Sequence, residues 1–552
     1  MLEDFDLNRI QDIEGARQAI LRLLNLVEEL AGESRKLREE NQHLRDEINR
    51  LKGEQGKPTI KPNKRPPATA KANYSSERER HKPKEHKKAS KVAQIKIDRE
   101  EVVRVNPAQL PPDAEFKGYE DVIVQDIKIE TDNVLFRKEK FYSPSNRAEY
   151  LAALPAGYDG QFGPGIKATT IVLYYAINTS EPKIKEFFEH VGLSISEGQV
   201  SNLLIKKQET FHAEKEAMYQ AGLRSSSWHH SDDTPARVNG VNEHTHTVCN
   251  PLYTIYVTTE KKDRLAVLQA FTNGHALTFC LNAAAYTWLE QGNLPAKVLA
   301  ALRQWPQDQA LSEKTFTTLL NEHLPQLGEQ HRRSILEAAA VAAYHIQQEF
   351  PVIDLLICDD APQFKRLTED LALCWVHDGR HYKKLNPVVA HHRQQVDDFL
   401  GRYWDYYDDL LTYPQKPTPE EAQRLSKAFD DLFSSVTGYE ALDERIAKTQ
   451  AKKDALLMVL KHPEIPLHNN PAELEGRRRA RKRDVSFGPR TQEGKKAWDT
   501  FLSLAATAKK LGVSFYQYIH DRVIGANKIS PLADLIAQQA EQRQLNASWE
   551  SA

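Results

Sequence analysis

Between residues 20 and 52, leucine recurs at every seventh position, the periodicity of a coiled-coil helix. With leucine at position d, the alternate core position a holds Ile20, Val27, Ser34, Asn41 and Ile48. Glutamates at g face basic residues at the following e of a parallel partner, and Asn at one a position favours two strands. We predict a dimerisation helix over residues 1–52. A single amphipathic helix packed on its own protein gives a similar pattern.

The hydrophobic pattern stops over residues 53–94. This stretch has 12 Lys and Arg against 4 Asp and Glu, a net charge of +8, and almost no aliphatic or aromatic residues. No core can form from such a composition, so we predict a flexible linker. Its charge either contacts phosphate groups without regard to sequence or simply keeps the chain in solution.

Alternating β-branched positions follow, and they predict a small β-rich module over residues 95–165. Residues 166–224 have helical periodicity, with a glycine break and then a capping box that opens a second helix. The pair resembles a helix-turn-helix, although similar pairs also occur as ordinary packing units. Its outward-facing candidates for DNA contact are Gln199, Ser201, Asn202 and Lys206.

From residue 225 onward, strand-like and helix-like stretches mix, which indicates an α/β or α+β multidomain chain. We predict one core over residues 225–524, interrupted by helical insertions at about 283–350 and 386–460. A C-terminal tail, residues 525–552, completes the predicted domains.

Composition limits the class of protein. The formal net charge is only -2, so any nucleic-acid surface must be local. The four cysteines are widely spaced and form no zinc or disulfide pattern, and no apolar run has the length of a membrane span. We expect a soluble cytoplasmic protein without a membrane partner.

Two predicted strands end in paired acids, Asp232-Asp233 and Asp359-Asp360, and a third acid, Glu473, stands just before a basic block. Carboxylates at strand ends suit Mg²⁺ or Mn²⁺, which bind a few carboxylates and leave room for phosphate oxygens. Ordinary caps and turns use the same residues. The basic block consists of Arg477, Arg478, Arg479, Arg481, Lys482 and Arg483. It would hold a DNA strand beside the metal, whereas a merely solvated helix would use these charges in pairs along its surface.

Four histidines near the first acid pair raise the alternative of a zinc site. They are His229, His230, His244 and His246. No thiolate lies nearby and no established ligand spacing is present, so we interpret them as ordinary polar strand residues.

Taken together, these motifs resemble the insertion-sequence 66 family of transposases, which are DDE enzymes with a ribonuclease H-like core. The matching elements are "DDTPARV", "ICDDAPQF" followed by "CWVHDGRHY", and "HNNPAELEGR", in this order. The resemblance implies a catalytic, metal-binding triad of Asp232, Asp359 and Glu473. It leaves open whether Asp233 or Asp360 replaces its neighbour as a ligand.

The chain departs from the family pattern at three positions. His468 stands for an Asp, Gly379 for the first Arg of the element that begins with Cys374, and Asp484 for a Lys. Family members often carry a cysteine zinc module after the coiled coil, yet no cysteine precedes Cys249 here. That module is therefore metal-free or absent.

The resemblance implies a nucleoid-associated homodimer that binds the ends of its own element, cleaves DNA and joins the 3'-hydroxyl to a target. Small accessory proteins of the same element would be further partners. Two other functions stay open: a non-catalytic, transposase-derived DNA-binding regulator, and a metal-dependent nuclease that cuts without joining.

Overall fold

The computed structural model describes residues 12–52, 95–111, 114–158 and 160–543. Residues 1–11 of the predicted dimerisation helix, the predicted linker over residues 53–94 and the end of the predicted C-terminal tail lie outside these residues. Within the described residues, no helix combines the length and the apolar character needed to cross a membrane.

The N-terminal heptads form one long helix, α1 (Ile13–Leu51). Its heptad leucines are exposed, for example Leu30 at 55% and Leu37 at 59%. A different face of α1 rests on the body of the protein, where the side-chain amide of Asn25 donates to the carbonyl of Gly438 at 2.9 Å. A helix therefore lies where the heptads predicted one, and dimerisation through it stays a prediction. It is also packed on its own protein, which is the alternative that the periodicity left open.

The predicted β-rich module contains a single hairpin among its described residues. Its strands are β1 (Lys140–Ser143) and β2 (Ala148–Leu151), which pair antiparallel. Apart from a 3-10 turn at Pro107–Gln109, residues 95–139 have no regular structure where they are described. Their β-branched side chains are largely exposed, with Val103 at 89% and Val124 at 81%. The alternation predicted strands over this stretch, whereas the described residues of the module pair as strands only at β1 and β2.

A helical layer follows. It contains α2 (Pro164–Ile171), a π-helical turn at Val172–Ala176, α3 (Glu181–His190), α4 (Glu197–Ile205) and α5 (Glu209–Arg224). The capping prediction is confirmed, because Ser196 Oγ accepts the Gln199 amide at the start of α4 at 3.2 Å. Gly192 has φ +83 in the turn between α3 and α4, a backbone conformation that favours glycine.

Seven strands follow along the chain. They are β3 (Trp228–Val238), β4 (Val241–Cys249), β5 (Thr254–Thr259), β6 (Thr278–Phe279), β7 (Leu311–Ser312), β8 (Leu355–Cys358) and β9 (Asp370–Leu373). Five of them form a mixed sheet in the order β5-β4-β3-β8-β9, and β6 pairs with β7 separately. In the large sheet β3, β4 and β5 are antiparallel neighbours, whereas β8 runs parallel to both β3 and β9. The molecule therefore has a mixed α/β architecture.

Helices make up most of the remaining structure. They are α6 (Arg264–Phe271), α7 (Ala283–Gln291), α8 (Ala296–Leu302), α9 (Glu313–His323), α10 (Glu329–Ile346), α11 (Trp375–Lys383), α12 (Ala390–Thr412), α13 (Pro419–Phe433), α14 (Glu440–Gln450), α15 (Lys453–Leu456), α16 (Met458–Lys461), α17 (Asn470–Ser486), α18 (Gln492–Lys510), α19 (Phe515–Val523) and α20 (Leu532–Arg543). The two stretches for which the sequence predicted helical insertions hold α7–α10 and α12–α16.

Helix α18 completes the edge of the sheet at β5. The backbone amides of alternate β5 residues donate to α18 side chains spaced four apart: Thr258 to Asp499 at 2.8 Å, Tyr256 to Ser503 at 2.9 Å and Thr254 to Thr507 at 3.1 Å. An exposed strand edge leaves backbone donors unpaired, so polar residues on one helix face substitute for a further strand. This arrangement closes the edge and fixes α18 against the sheet.

The described part of the predicted C-terminal tail is not an extended segment. Helix α20 packs beside α5, and its Leu532 and Ile536 are fully buried. The Leu532 amide also donates to the Tyr518 hydroxyl at 3.2 Å. Apolar residues one helical turn apart explain this packing.

Candidate active site

Parallel pairing places the two predicted acid pairs side by side. The register aligns His230 of β3 with Ile357 of β8. Asp232 and Asp359 each lie two residues beyond these partners, so they fall at the same level and on the same face of the sheet. The sheet thus brings together two carboxylates that are far apart in sequence.

The second acid of each pair has other partners. Asp233 accepts the side-chain amide of Gln363 at 2.7 Å and lies 3.8 Å from Lys262. Asp360 forms ion pairs with Lys365 at 3.0 Å and Lys452 at 2.6 Å. Both first acids line a pocket of about 290 Å³, which Asp233 also lines and Asp360 does not. The geometry therefore favours Asp359 over Asp360 as a ligand and leaves Asp232 and Asp233 both facing the pocket.

Asp232 is placed where its charge is unfavourable. Burial, followed by repulsion from Asp359 and Asp233, raises the pKa of Asp232 from 3.8 to about 7. Glu473 also contributes repulsion, which shows that the third predicted acid is electrostatically close. Burial likewise raises the pKa of Asp359. Such a group of mutually repelling carboxylates is stabilised by a bound cation.

Helix α17 brings Glu473 to the sheet. A Cβ on Gly476, one turn after Glu473, would lie 3.6 Å from Asp232 Oδ2, so the helix crosses β3 closely at this glycine. The N-terminal end of the helix is fixed by buried Asn469, whose side-chain amide donates to the Ser231 carbonyl at 2.7 Å. The Asn469 side-chain oxygen pairs with His230 Nδ1 at 3.0 Å. The "HNNPAE" element therefore attaches the helix that carries Glu473 to the strand that carries Asp232.

Arg380 of α11 holds Glu473 with a two-pronged ion pair. Its Nη1 lies 3.2 Å from Oε1 and 3.3 Å from Oε2 of Glu473, and its Nη2 lies 3.2 Å from Oε2. Arg477, one turn along α17, adds a single contact at 3.4 Å. Both carboxylate oxygens of Glu473 are thus engaged by guanidinium groups.

One departure from the family pattern has a packing explanation. A Cβ on Gly379 would lie 2.7 Å from two ring atoms of Trp404 and 3.1 Å from Tyr403. A larger residue at this position of α11 would require α12 to move away. Gly379 therefore lets α11 approach α12 closely, directly beside Arg380.

Besides the acids, the pocket is lined by His377, Arg380, Asn469 and Arg477, among others. Among the described residues, no group of three or more His, Cys, Asp or Glu side chains is arranged to hold a metal ion as it stands. The oxygen donors and their mutual repulsion nevertheless fit a hard divalent cation at Asp232 and Asp359. Glu473 would add a third carboxylate, in competition with the guanidinium group of Arg380 that contacts it.

The predicted basic block divides by burial. Arg477 and Arg481 are exposed on α17. Arg478 is partly buried and lies 3.8 Å from Glu475. Arg483 is partly buried as well and donates to the Pro235 carbonyl. The solvent-facing charge of the block is thus concentrated at Arg477 and Arg481.

Two members of the block are buried against aromatic rings. The Arg479 guanidinium lies 4.5 Å from the ring centre of Trp498, and Lys482 Nζ lies 3.3 Å from that of Tyr174. Their relative exposures are 1% and 0%. Burial lowers the pKa of Lys482 to about 7. Neither Arg479 nor Lys482 reaches the surface in this arrangement, so neither side chain is exposed to a DNA strand as the structure stands. Contact of the block with DNA stays a prediction.

The helix-turn-helix-like candidates are exposed to different degrees. Lys206 is exposed, whereas Gln199, Ser201 and Asn202 are partly buried. Ser201 also hydrogen-bonds Glu181 of the preceding helix. This segment packs on α2 and α18, and DNA recognition by it stays a prediction.

The histidines near the acids have other partners. His229 pairs with the Tyr253 hydroxyl at 3.0 Å and His246 with the Thr259 hydroxyl at 2.8 Å. Burial lowers the pKa of His230 to about 3, so this ring is neutral at physiological pH. Partly buried His244 lies on β4 beside this group.

Sequence reasoning missed several residues that line the pocket, among them the three polar side chains of His377, Arg380 and Asn469. All three lie inside the elements "CWVHDGRHY" and "HNNPAE", which were used to recognise the family and not to assign a role to these side chains. Two features of the sequence could have identified them: each lies in a motif of the family that also contains an acid, and each has a side chain that can donate a hydrogen bond to a carboxylate.

The fold and site define a mixed α/β protein with a carboxylate pocket just beyond the parallel pairing of β3 with β8. Asp359 directly follows β8, as the sequence predicted, whereas Asp232 lies inside β3, which continues to Val238 beside β4. The sequence pattern described as "Transposase IS66 family" matches residues 159–278 and 330–497, just over half of the chain. The chain belongs to this family. A transposase acts on DNA, so membership implies a general role in transposition and contact with DNA.

The chain is also similar to a curated protein. The "Uncharacterized protein y4jO" of Sinorhizobium fredii (strain NBRC 101917 / NGR234) is 33% identical over 324 residues, which cover 58% of this chain and 100% of the relative. No solved structure matches the chain. The family match omits residues 279–329, which hold α7, α8 and α9.

Proposed function

We propose that this protein is a DDE transposase that cleaves the ends of its own element and joins the freed 3'-hydroxyl to target DNA. The observation that carries the proposal is one pocket lined by Asp232, Asp359 and Glu473. These acids come from β3, β8 and α17, which are separated by more than a hundred residues in each case. A mixed sheet whose adjacent parallel strands carry acids, Asp232 within β3 and Asp359 directly after β8, also supports the ribonuclease H-like interpretation of the core.

Asp232 and Asp359 would hold Mg²⁺ or Mn²⁺, with Glu473 as the third ligand. When bound, two such ions activate an attacking hydroxyl and stabilise the leaving oxygen of a phosphodiester. The protein itself aims the acids. The sheet register aligns Asp232 with Asp359, and Asn469 anchors the helix that carries Glu473. Water access through the open pocket permits hydrolysis as the first step.

The DNA surface would run along α17 beside the acids. Exposed Arg477 and Arg481 lie one helical turn apart, so they face the same side and can follow a phosphate backbone. Lys206 and the basic residues of the stretch 53–94 would add further phosphate contacts. Phosphate contacts of this kind position the protein on DNA without reading its sequence, so recognition of the element ends would depend on other parts of the protein.

Two protomers would pair through α1. Its a and d side chains are exposed, while the face that carries Asn25 and Glu28 is docked on the body of its own protomer. The two faces are distinct, so docking leaves the heptad stripe available to a second copy. A dimer would process both element ends in one assembly.

The proposal is tested with labelled DNA that carries the flanking ends of the encoding element, incubated with protein and Mg²⁺ or Mn²⁺. We expect a 3'-hydroxyl cleavage product and a joined product, both abolished by Asp359→Ala. The matched control is Asp360→Ala, which changes the adjacent acid outside the pocket and is expected to retain both products.

Cleavage without joining would instead identify a nuclease. Specific binding with neither product, at any divalent ion tested, would identify a non-catalytic regulator. If Asp360→Ala loses activity while Asp359→Ala retains it, the assignment of Asp359 as the second acid is contradicted.

A further inference from the structure

Arg380 is the most heavily engaged cation of the pocket. It makes three contacts of 3.2 to 3.3 Å with Glu473 and so occupies both carboxylate oxygens. A cation bound through Glu473 uses those same oxygens, and the guanidinium group at hydrogen-bond distance both repels it and occupies part of their lone pairs. Arg380 and a metal ion are therefore alternative partners of Glu473.

We propose that Arg380 is a positioning residue with two alternative partners, Glu473 before the metal binds and a DNA phosphate afterwards. This inference rests on the proposed function, because it assigns Glu473 to the metal. Arginine suits the exchange, since its planar fork binds a carboxylate or a phosphate with the same two-pronged geometry. The residue would thus couple metal binding to DNA binding.

Burial supports the direction of the exchange. The Arg380 side chain is 42% exposed, whereas the Glu473 side chain is only 17% exposed. The carboxylate consequently stays in the pocket while the guanidinium has room to turn toward solvent and a DNA backbone. No backbone movement of α11 is required.

The base of Arg380 is held rigidly. Its neighbour Gly379 packs against Trp404, and buried Asp378 pairs with Arg445 and Lys452. Lys452 also pairs with Asp360, beside the second acid. Helix α11 is therefore fixed to the loop that carries Asp359, and only the end of the Arg380 side chain is free to exchange partners.

Arg477 provides an internal comparison. It also contacts Glu473, but through one atom at 3.4 Å, and its side chain is 63% exposed. Both arginines carry the same charge and both line the pocket. If substitutions of the two arginines change Mn²⁺ affinity differently, the difference is therefore due to the two-pronged contact of Arg380 with Glu473. It is not due to the loss of one positive charge from the pocket, which both substitutions share.

The test compares Arg380→Gln and Arg477→Gln in the full chain, with two readouts. Mn²⁺ affinity is measured without DNA by isothermal titration calorimetry. DNA affinity is measured by fluorescence anisotropy on a duplex that carries the element end, with Ca²⁺ in the buffer. We expect Arg380→Gln to bind Mn²⁺ tighter by about fivefold, because the competitor is gone, and DNA weaker by about fivefold. Arg477→Gln should change Mn²⁺ affinity by less than about twofold.

Opposite shifts in the two affinities distinguish exchange from a structural role, since a misfolded pocket would weaken both. Unchanged or weaker Mn²⁺ binding in Arg380→Gln would overturn the inference. A separate control, Asp232→Ala, tests the proposed function. If the unsubstituted protein binds Mn²⁺ no better than Asp232→Ala, the metal site itself is wrong, and the two failures can be told apart.

Discussion

At the scale of single residues, the charge of Asp232 destabilises the folded protein, because this carboxylate is buried beside other acids. Its pKa is about 7 in the folded chain against 3.8 as an ordinary aspartate. Protonated Asp232 is not repelled by its neighbours, so its favourable contribution to the free energy of unfolding is fully present below pH 3.8. This contribution is lost as the pH rises from 3.8 to about 7. The repulsion is thus fully expressed at neutral pH.

Asp232→Asn removes this repulsion and keeps the side-chain oxygen that accepts the Asp233 amide at 2.9 Å. We expect a higher free energy of unfolding at pH 8 without divalent ions, by about 2 kcal/mol and at most about 4. The gain should shrink as the pH falls toward 4. Urea denaturation at several pH values in EDTA measures it, and a loss of stability at pH 8 would contradict the assigned environment.

Asp360→Asn is the matched comparison and should act in the opposite direction. Burial alone would raise the pKa of Asp360, but hydrogen bonds from Lys452 and Lys365 outweigh it and lower the pKa. Its contribution is therefore present at neutral pH and lost on acidification. In the same denaturation series we expect this variant to be destabilised at pH 8, with a difference that disappears at low pH.

The basic block gives a second residue-scale prediction. Arg481 is exposed and Lys482 is buried against Tyr174, although they are adjacent in sequence. Arg481→Ala should reduce the slope of log affinity against log salt by about 0.9, the value for one lost phosphate contact. Lys482→Met should leave that slope unchanged. Anisotropy titrations at several salt concentrations decide this, and equal effects would refute the division of the block by burial.

These residues also show where sequence-based prediction ends. The motifs named the acids and the elements that carry them, because acids after strands and a glutamate before a basic run are local patterns. Arg479 is buried against Trp498, and Lys482 is buried against Tyr174. Tyr174 lies about three hundred residues before Lys482 in the sequence, so no local pattern indicates this contact. The contact between Arg380 and Glu473 joins two motifs, and neither motif alone indicates it.

At the scale of elements, α1 is attached to the body by a helix cap supplied from outside. The Glu28 carboxylate accepts the amides of Val388 at 2.9 Å and Val389 at 2.6 Å, just before α12 begins. An acid at a helix N-terminus satisfies unpaired donors and favours the helix dipole. Glu28 also lies 3.4 Å from buried His392 of α12.

Glu28→Gln should weaken this attachment. We expect the amides of Val388 and Val389 to exchange hydrogen about fivefold faster, which corresponds to about 1 kcal/mol for a lost charged cap. Hydrogen-exchange mass spectrometry of the peptide around these residues measures the change. Glu29→Gln alters the exposed neighbouring acid and should have no effect. Identical exchange in the two variants would show that α1 is not held through Glu28.

Elements with a strong local period were predictable and those that depend on distant partners were not. Helix α1 follows from its heptads, and α4 from the Ser196 cap. The alternation over residues 95–139 predicted paired strands, yet pairing requires a second strand that the described residues do not supply. Helix α20 was missed because its burial depends on α5, more than three hundred residues earlier.

At the scale of the whole molecule, the exposed heptad stripe predicts the oligomeric state. Replacing Leu30 and Leu37 together by Asp puts charges at two d positions, which should separate the protomers. Light scattering coupled to size exclusion should then report a monomer in place of a dimer. Lys36→Asp adds an acid to another face of α1 and should remain dimeric. Dimers in the leucine variant would place the interface elsewhere.

Overall architecture was predictable in class and not in detail. Mixed strand and helix patterns indicated α/β, and a mixed five-stranded sheet is present. The pairing of β3 with β8 was beyond local patterns, because α6 to α10 intervene between these strands. Only that pairing shows why Asp232 and Asp359, so far apart in sequence, belong to one pocket.

The central claim is that Asp232, Asp359 and Glu473 act as one catalytic unit. The most direct test is the rate of strand transfer from a pre-cleaved element end in Mg²⁺, measured for each single Ala variant and for the triple variant. Groups that act as a unit are non-additive, so each single change should reduce the rate as far as the triple change does. A single variant that keeps a substantial part of the activity lost in the triple variant would contradict the claim.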